Sequence, residues 1–267
     1  MLWQELTSPE IDRLDRDITV VVPLGSCEQH GRHLPVFVDT IQMEAITARV
    51  EKLRSDRLVA LPTLWLGASH HHMDFAGTLS LPPKAYASTI QHLTRCLLHH
   101  GFRRLFFLNG HGGNLTPASQ ALTDLIATDD RADAASIALS CWWQVAAAGT
   151  APERHGMKTP KLSHACEYET SLMLALREDL VKLAEIDPDH IEIPRPSASG
   201  PWAGKVEGFH RFHRWTSSGH MGDPAVATAE KGNSLLEAVT NEVVNFIDDF
   251  SKWPTMEKIG PGKRPAR

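Results

Sequence analysis

Long apolar runs, blocks of like charge and paired cysteines are all missing from this 267-residue sequence. No segment reaches the roughly 18 consecutive apolar residues that a membrane-spanning helix needs, so no membrane partner is expected. The first residues, Met1-Leu-Trp-Gln-Glu-Leu, lack the basic stretch and apolar core of a secretory signal. Four cysteines, Cys27, Cys96, Cys141 and Cys166, lie scattered without a CxxC pair, which predicts free thiols in a reducing, cytoplasmic setting. The net charge of −5 carries no long run of one sign, which speaks against a nucleic-acid surface. Only Lys258 to Arg267 is basic, and its Gly/Pro content predicts a flexible tail over residues 256–267. Neither a GxGxxG nor a GK[ST] pattern is present, so a phosphate-binding loop is not expected.

Against two tyrosines stand fifteen histidines, a residue type that binds metals and carries protons near neutral pH. Hydrophobic residues make up 42% and charged residues 22%, an ordinary globular balance for one large domain or two small ones. The continuous apolar run Ile18–Leu24 fits a strand buried on both faces, and Arg57–Leu64, Arg104–Leu108 and Ala135–Ser140 read as further strands. Between them lie helical patterns: one capped by Thr40, one over Tyr86–His100, and one through Ala118, Leu122 and Ile126. Trp142 to Leu162 reads as a loop, Cys166–Leu176 as a helix, and Pro224 as the start of a final amphipathic helix. Residues 187 to 223, rich in Pro, Gly, Ser and His, are too long for an ordinary connector and read as a functional or lid-like segment. Alternating strands and helices predict an α/β fold with a mostly parallel sheet flanked by helices on both faces. In such sheets ligands collect beyond the carboxyl ends of the strands, and the chemically interesting residues follow those ends.

Three segments carry that chemistry. In Gly25-Ser26-Cys27-Glu28-Gln29-His30-Gly31, Glu28 and His30 are two apart and face one pocket while Gln29 points elsewhere; Asp39 follows in the next loop. Carboxylate and imidazole together suit Zn²⁺, Mn²⁺ or a similar ion. In Asn109-Gly110-His111-Gly112-Gly113-Asn114, glycines around His111 allow a sharp turn and close approach to a ligand. In His164-Ala165-Cys166-Glu167-Tyr168-Glu169, the first turns of a helix favour carboxylates, and His164 precedes them. Taken singly, each also fits a polar loop, a plain glycine turn or an ordinary helix start. Of His70-His71-His72, three neighbours that cannot all face one ion, His72 is expected in packing or substrate contact. Trp142, Trp143 and Trp202 fit either the core or a cover over the substrate, and His155, His210, His213 and His220 read as solvated loop residues. Cys27 has no histidine–acid pairing to mark it as a nucleophile.

Together the motifs resemble the creatininase (creatinine amidohydrolase) family. The matching pieces are Gly25 to Gly31 with Leu34-Pro35 and Asp39, His72 to Ser80 with Gly77-Thr78, Asn109 to Asn114, His164 to Ser171, and Gly222-Asp223-Pro224 with Glu230-Lys231-Gly232. They run in family order from about residue 20 to 235. The resemblance implies a single domain over 1–255, a pair of divalent ions (Zn and/or Mn), hydrolysis of a C–N bond in a small molecule, and a homo-oligomer, often a hexamer. Carried over by position, Glu28 and His111 hold one ion, His30 and Glu169 the other, and Asp39 bridges, with Glu167 left open as ligand or supporting partner. His164 matches the proton-transfer histidine, so the catalytic set is His164 and Glu167. His72, Thr78, Gly112 and Trp143 are the expected substrate contacts. Water held by such ions ionises far more readily than bulk water, and the resulting hydroxide attacks the carbonyl carbon while His164 protonates the leaving nitrogen. One departure stands out: creatininase itself has a tyrosine and a glutamate at the places of Gly112 and Gly113. This points away from creatinine toward branches acting on formamides, peptides or cyclic sugar-like ketones. A metal- or small-molecule-binding protein without turnover is the competing class.

Overall fold

The computed structural model describes residues 1–194, 201, 205–206 and 208–254. The expected tail over 256–267 and Trp202 lie outside the described residues. Four strands, β1 (Thr19–Leu24), β2 (Leu58–Ala60), β3 (Arg104–Asn109) and β4 (Ser136–Cys141), form one parallel sheet in the order β2-β1-β3-β4. Every ladder is parallel because each strand is followed by a helical return: α2 (Val38–Arg54) after β1, α3 (Pro83–His99) after β2, and α4 (Gly112–Thr128) after β3. Three short helices, α1 (Ser8–Asp12), α5 (Asp130–Asp133) and α6 (Trp142–Val145), punctuate the chain, and α7 (Glu167–Arg177) and α8 (Ala229–Phe250) complete it.

Both faces of the sheet are buried, which is why its strands read as near-continuous apolar runs. On one face Val20, Val22 and Leu24 of β1 and Leu105 and Phe107 of β3 meet Tyr86, Ile90 and Leu97 of α3 and Ala118 and Leu125 of α4. On the other, Val21, Phe106 and Leu108 meet Met43 and Ile46 of α2, Leu172 of α7 and a row along α8 from Leu235 to Phe250. Each large apolar side chain in that row contributes about 1.5–3 kcal/mol by leaving water. Helices α7 and α8 meet backbone to backbone at Gly232, where a Cβ would overlap the Ser171 carbonyl.

Local chemistry moved three boundaries. Helix α2 starts at Val38, ahead of Thr40, whose hydroxyl instead donates to the Ser26 carbonyl (2.8 Å) and ties the helix to the loop after β1. The pairing of β2 stops at Ala60 because Pro62 has no N–H to offer, although Leu61 and Leu64 still donate to Val21 and Pro23. Pro224 opens only a 3-10 turn, and α8 begins at Ala229 because the Thr228 side chain caps it by accepting from the Lys231 N–H. All four cysteines are free. Among the described residues no helix is long and apolar enough to cross a membrane.

Candidate metal centre

The order β2-β1-β3-β4 makes the chain leave β1 and β3 in opposite directions, which opens a crevice at their carboxyl ends. Loop residues Glu28 and His30 follow β1, and His111 follows β3 at the N-cap of α4. Asp39 enters from the first turn of α2, and Glu169 from the first turn of α7. These five residues, 141 positions apart at their extremes by number, meet in one buried cluster.

Asp39 is central. Its Oδ1 lies 3.2 Å from His30 Nε2, its Oδ2 lies 3.3 Å from His111 Nδ1, and Ser26 Oγ donates to Oδ2 at 2.7 Å. Glu28 Oε1 is 3.1 Å from His111 Nδ1, and Glu169 Oε2 is 3.8 Å from His30 Nε2. The far nitrogen of each imidazole is turned to the protein: His30 Nδ1 to the main-chain carbonyl of Glu28 (3.1 Å), His111 Nε2 to Ser69 Oγ (3.1 Å). Such outer contacts fix which ring nitrogen faces inward. Gly113 is required beside them, since a Cβ there would strike the Ala68 carbonyl and the His111 ring.

The electrostatics ask for positive charge. Burial opposes an imidazolium at His30 and at His111. Even so, Asp39 lifts His30 to about 9, and Glu28 with Asp39 lifts His111 to about 10. Burial likewise opposes a charged Asp39, yet His30 and His111 hold it below the ordinary carboxylate range. Burial pushes Glu169 up to about 7, against the pull of His30. Two buried atoms, Glu28 Oε2 and His30 Nε2, have no hydrogen-bond partner among the described residues; the 3.2 Å approach of Asp39 to His30 lacks the alignment of a bond. Oxygen and imidazole donors with unmet valence, within a few ångströms of one another, fit divalent cations. Three overlapping donor sets lie within 4.8 Å: Glu28, His30 and His164; Glu28, His71 and His111; His30, Asp39 and Glu169.

A cavity of about 870 Å³ opens over the cluster. His72, Gly112, Trp143 and His164 all line it, as do Trp215 and Phe212. Phe212 packs its ring 4.2 Å from that of His72 and 4.7 Å from that of His164. The segment from Gly208 to Trp215, part of the long irregular stretch, thus forms a wall of the cavity, held to the loop after His72 by Arg211 and His213 on Asp74 (2.9 and 2.6 Å).

Other expected residues sit elsewhere. Glu167 faces away from the cavity: its carboxylate takes Lys231 Nζ (2.6 Å), the Thr159 N–H (2.7 Å) and the Thr159 hydroxyl (2.7 Å). Helix geometry explains this, since residues two apart on α7 point to opposite sides. Thr78 is one layer back, accepting the Gln29 N–H at 3.1 Å. Gln29, expected to point away, turns its amide inward to His72 and Gly219. Cys27 is buried against the Gly77 carbonyl, and burial pushes its thiol up. His155 and His220, expected in solvated loops, are buried and hydrogen-bonded. His71, set aside in sequence, stacks on His111 at 5.6 Å and joins one donor set; three adjacent histidines gave no periodicity from which to choose it.

A parallel α/β sheet with a buried histidine–carboxylate cluster at its carboxyl edge, opening into a deep cavity, has the build of a metal-dependent hydrolase. The comparisons name the family. The creatininase profile, described as creatinine amidohydrolase, matches residues 4–247, and the chain belongs to this family of metal-dependent hydrolases. Over 255 residues it is 30% identical to the mycofactocin precursor peptide peptidase of Mycobacterium tuberculosis (strain H37Rv), covering 88% of this chain and 87% of that one. It is 29% identical to creatinine amidohydrolase of Pseudomonas putida (86% and 89% covered) and 26% identical to 3-dehydro-scyllo-inosose hydrolase of Thermotoga maritima (98% and 86%). The crystal structure of creatininase superposes with a TM-score of 0.78 at 26% identity, over 95% of this chain and 98% of that one. Creatininase structures of Zn-Zn type, from a mutant, and with Mn each match with a TM-score of 0.76 at 26% identity, over 93% of this chain and 97% of theirs.

Proposed function

We propose that this chain hydrolyses a C–N bond of a small molecule at a centre of two divalent cations, zinc or manganese. Glu28 and His111 would hold one ion, His30 and Glu169 the other, with Asp39 between them. The observation that carries this reading is the convergence of five donors with two buried atoms left unpaired, Glu28 Oε2 and His30 Nε2. Cations bound there supply Lewis acidity and a water that ionises near neutral pH.

The remaining work falls to the protein. His164 Nδ1 lies 3.6 Å from Glu28 Oε1 on the floor of the cavity, placed to take a proton from water and return it to the leaving nitrogen. Burial and the neighbouring His30 hold its imidazole well below the ordinary histidine range, so it starts as a neutral acceptor. The backbone is bent to put it there, for Ala165, which follows, adopts a left-handed φ of 51° that a non-glycine residue seldom takes. Trp143, Phe212 and Trp215 wall off solvent, and Gly112, with no atom of the described residues within 4 Å of where its Cβ would be, leaves the entrance open. Glu167, placed among the catalytic residues from the sequence, acts instead as a clamp on the 158–159 loop.

The cavity also favours a second reading of the substrate. At about 870 Å³ it lies toward the upper end of the volumes that enclose drug-sized ligands, which suits the end of a peptide or a polyhydroxylated ring better than a small cyclic amide. We place the enzyme in the cytoplasm as a homo-oligomer, a hexamer by likeness to its family, with its domain over 1–255. The test is a screen of purified protein, loaded with zinc or manganese, against cyclic amides, formamides, short peptides and cyclic ketones. Hydrolysis of one class and its loss on chelation is the expected result; full activity after exhaustive chelation would sink the reading.

A further inference from the structure

Residue 29, lying between two of the cluster residues in sequence, holds more hydrogen bonds within the site than any mechanism above requires of it. Its side-chain amide is oriented without ambiguity. The Gly31 N–H donates to Oε1 (2.8 Å), so that atom must be the oxygen, and the Gly219 carbonyl accepts from Nε2 (2.9 Å), so that atom must be the nitrogen. The same Nε2 lies 2.8 Å from His72 Nδ1 and 3.1 Å from His164 Nε2. His164 Nε2 is closer still, at 2.7 Å, to the main-chain carbonyl of Gln29.

An amide nitrogen has two protons, and three neighbours compete for them. If His164 Nε2 were bare, it would set a lone pair against the Gln29 carbonyl at 2.7 Å, and one of the three acceptors would go without. If Nε2 carries the proton, it donates to that carbonyl. The two amide protons then go to His72 Nδ1 and the Gly219 carbonyl, and every group is satisfied. Only this assignment closes the network. We infer that Gln29 is a positioning residue that fixes the tautomers of both histidines. Through its amide it holds His72 with a bare Nδ1 and an Nε2–H turned toward Glu28, and through its main chain it holds His164 with an Nε2–H and a bare Nδ1 facing the cluster.

The consequence for the reaction rests on the function proposed above. His164 begins without a proton on the atom that faces the water, so it accepts first. The water's proton moves to Nδ1 as the C–O bond forms, and the same proton passes to the nitrogen as the C–N bond breaks. His164 returns to the state in which it started, with nothing supplied from outside. The tautomers themselves are independent of that reading.

The experiment is nitrogen–proton NMR of the zinc-loaded protein with isotope-labelled histidine rings, the two signals assigned by their loss in His72→Gln and His164→Gln. Both histidines are expected with the proton on Nε2; an Nδ1–H at either one overturns the inference. In Gln29→Glu, recorded at alkaline pH where the carboxyl is ionised, position 29 can only accept, so the proton of His72 should move to Nδ1 while His164 keeps its own. A His72 signal that does not move would mean that Gln29 serves packing alone, and that result also overturns the inference. Should Gln29→Glu not fold, the wild-type spectrum decides by itself. A protein that shows these tautomers yet binds no zinc and hydrolyses nothing would refute the proposed function and leave this assignment standing.

Discussion

Two carboxylates of one helix turn, Glu167 and Glu169, sit in two different regions of the molecule and teach opposite lessons. Glu167, wholly buried, lies in the clamp between α7, α8 and the 158–159 loop, where a lysine, two N–H groups and a hydroxyl saturate it. Burial raises its pKa, yet Lys231 and the Thr159 and Lys158 N–H groups more than reverse that and keep it ionised. Glu169, 7% exposed, lies in the cluster with the Ala165 N–H, the edge of His30 and two more carboxylates around it. One region is complete as a piece of protein. The other leaves Glu28 Oε2 and His30 Nε2 unpaired among the described residues, which is the physical signature separating a functional charge from a structural one.

The comparison can be broken in several ways, and the largest effect should come from emptying the cluster. Exhaustive chelation is expected to lower hydrolysis at least about a thousandfold, since Lewis-acid stabilisation is worth several kcal/mol and each 1.4 kcal/mol is tenfold. Adding back zinc or manganese should restore it; rates that survive chelation would show the cluster to be a structural site after all. Next, His164→Ala should retain its metal content, measured by elemental analysis, while turnover falls about 10²- to 10⁴-fold, the usual range for a lost acid–base group.

Stability should then separate the two glutamates. Glu167→Ala leaves the half-buried Lys231 with only the Val226 carbonyl and strips the Thr159 and Lys158 N–H groups of their acceptor, which should cost about 3 kcal/mol in denaturant unfolding, with metal binding retained in whatever remains folded. Glu169→Ala removes a carboxyl group that burial already pushes toward its neutral form and that only the Ala165 N–H and the edge of His30 meet. The metal-free variant should be about as stable as wild type, but it should lose the stabilisation of about 4 kcal/mol that zinc at a thousand times its dissociation constant gives wild type. Equal losses in the two metal-free variants would erase the distinction. The smallest effect belongs to the caps: Thr228→Ala should destabilise α8 by about 1 kcal/mol, with metal content and turnover unchanged.

Much of the fold is legible in the sequence, for identifiable reasons. Parallel strands buried on both sides need unbroken apolar runs such as Val20–Leu24 and Leu105–Leu108, and no other element uses that pattern so briefly between glycine turns. Boundaries were harder. Whether Thr40 or Val38 opens α2 depends on where the Thr40 hydroxyl finds a partner, and that partner, the Ser26 carbonyl, is 14 residues away. The carboxyl-edge placement of Glu28, His30 and His111 followed from chain order alone, because a parallel sheet puts every such loop at the same end.

Tertiary structure decided the rest. Glu167 and Glu169 are the same residue type in the same helix turn, and only packing against Lys231 on one side and His30 on the other tells them apart. His71 and His72 pose the same problem, as does Gln29, whose amide looked idle until Gly219, 190 residues downstream, closed on it. Local sequence fixes backbone preferences and the period of burial, both set by neighbours along the chain. Which buried charge is paired and which is left open is set by neighbours in space, and these the chain brings together only when it folds.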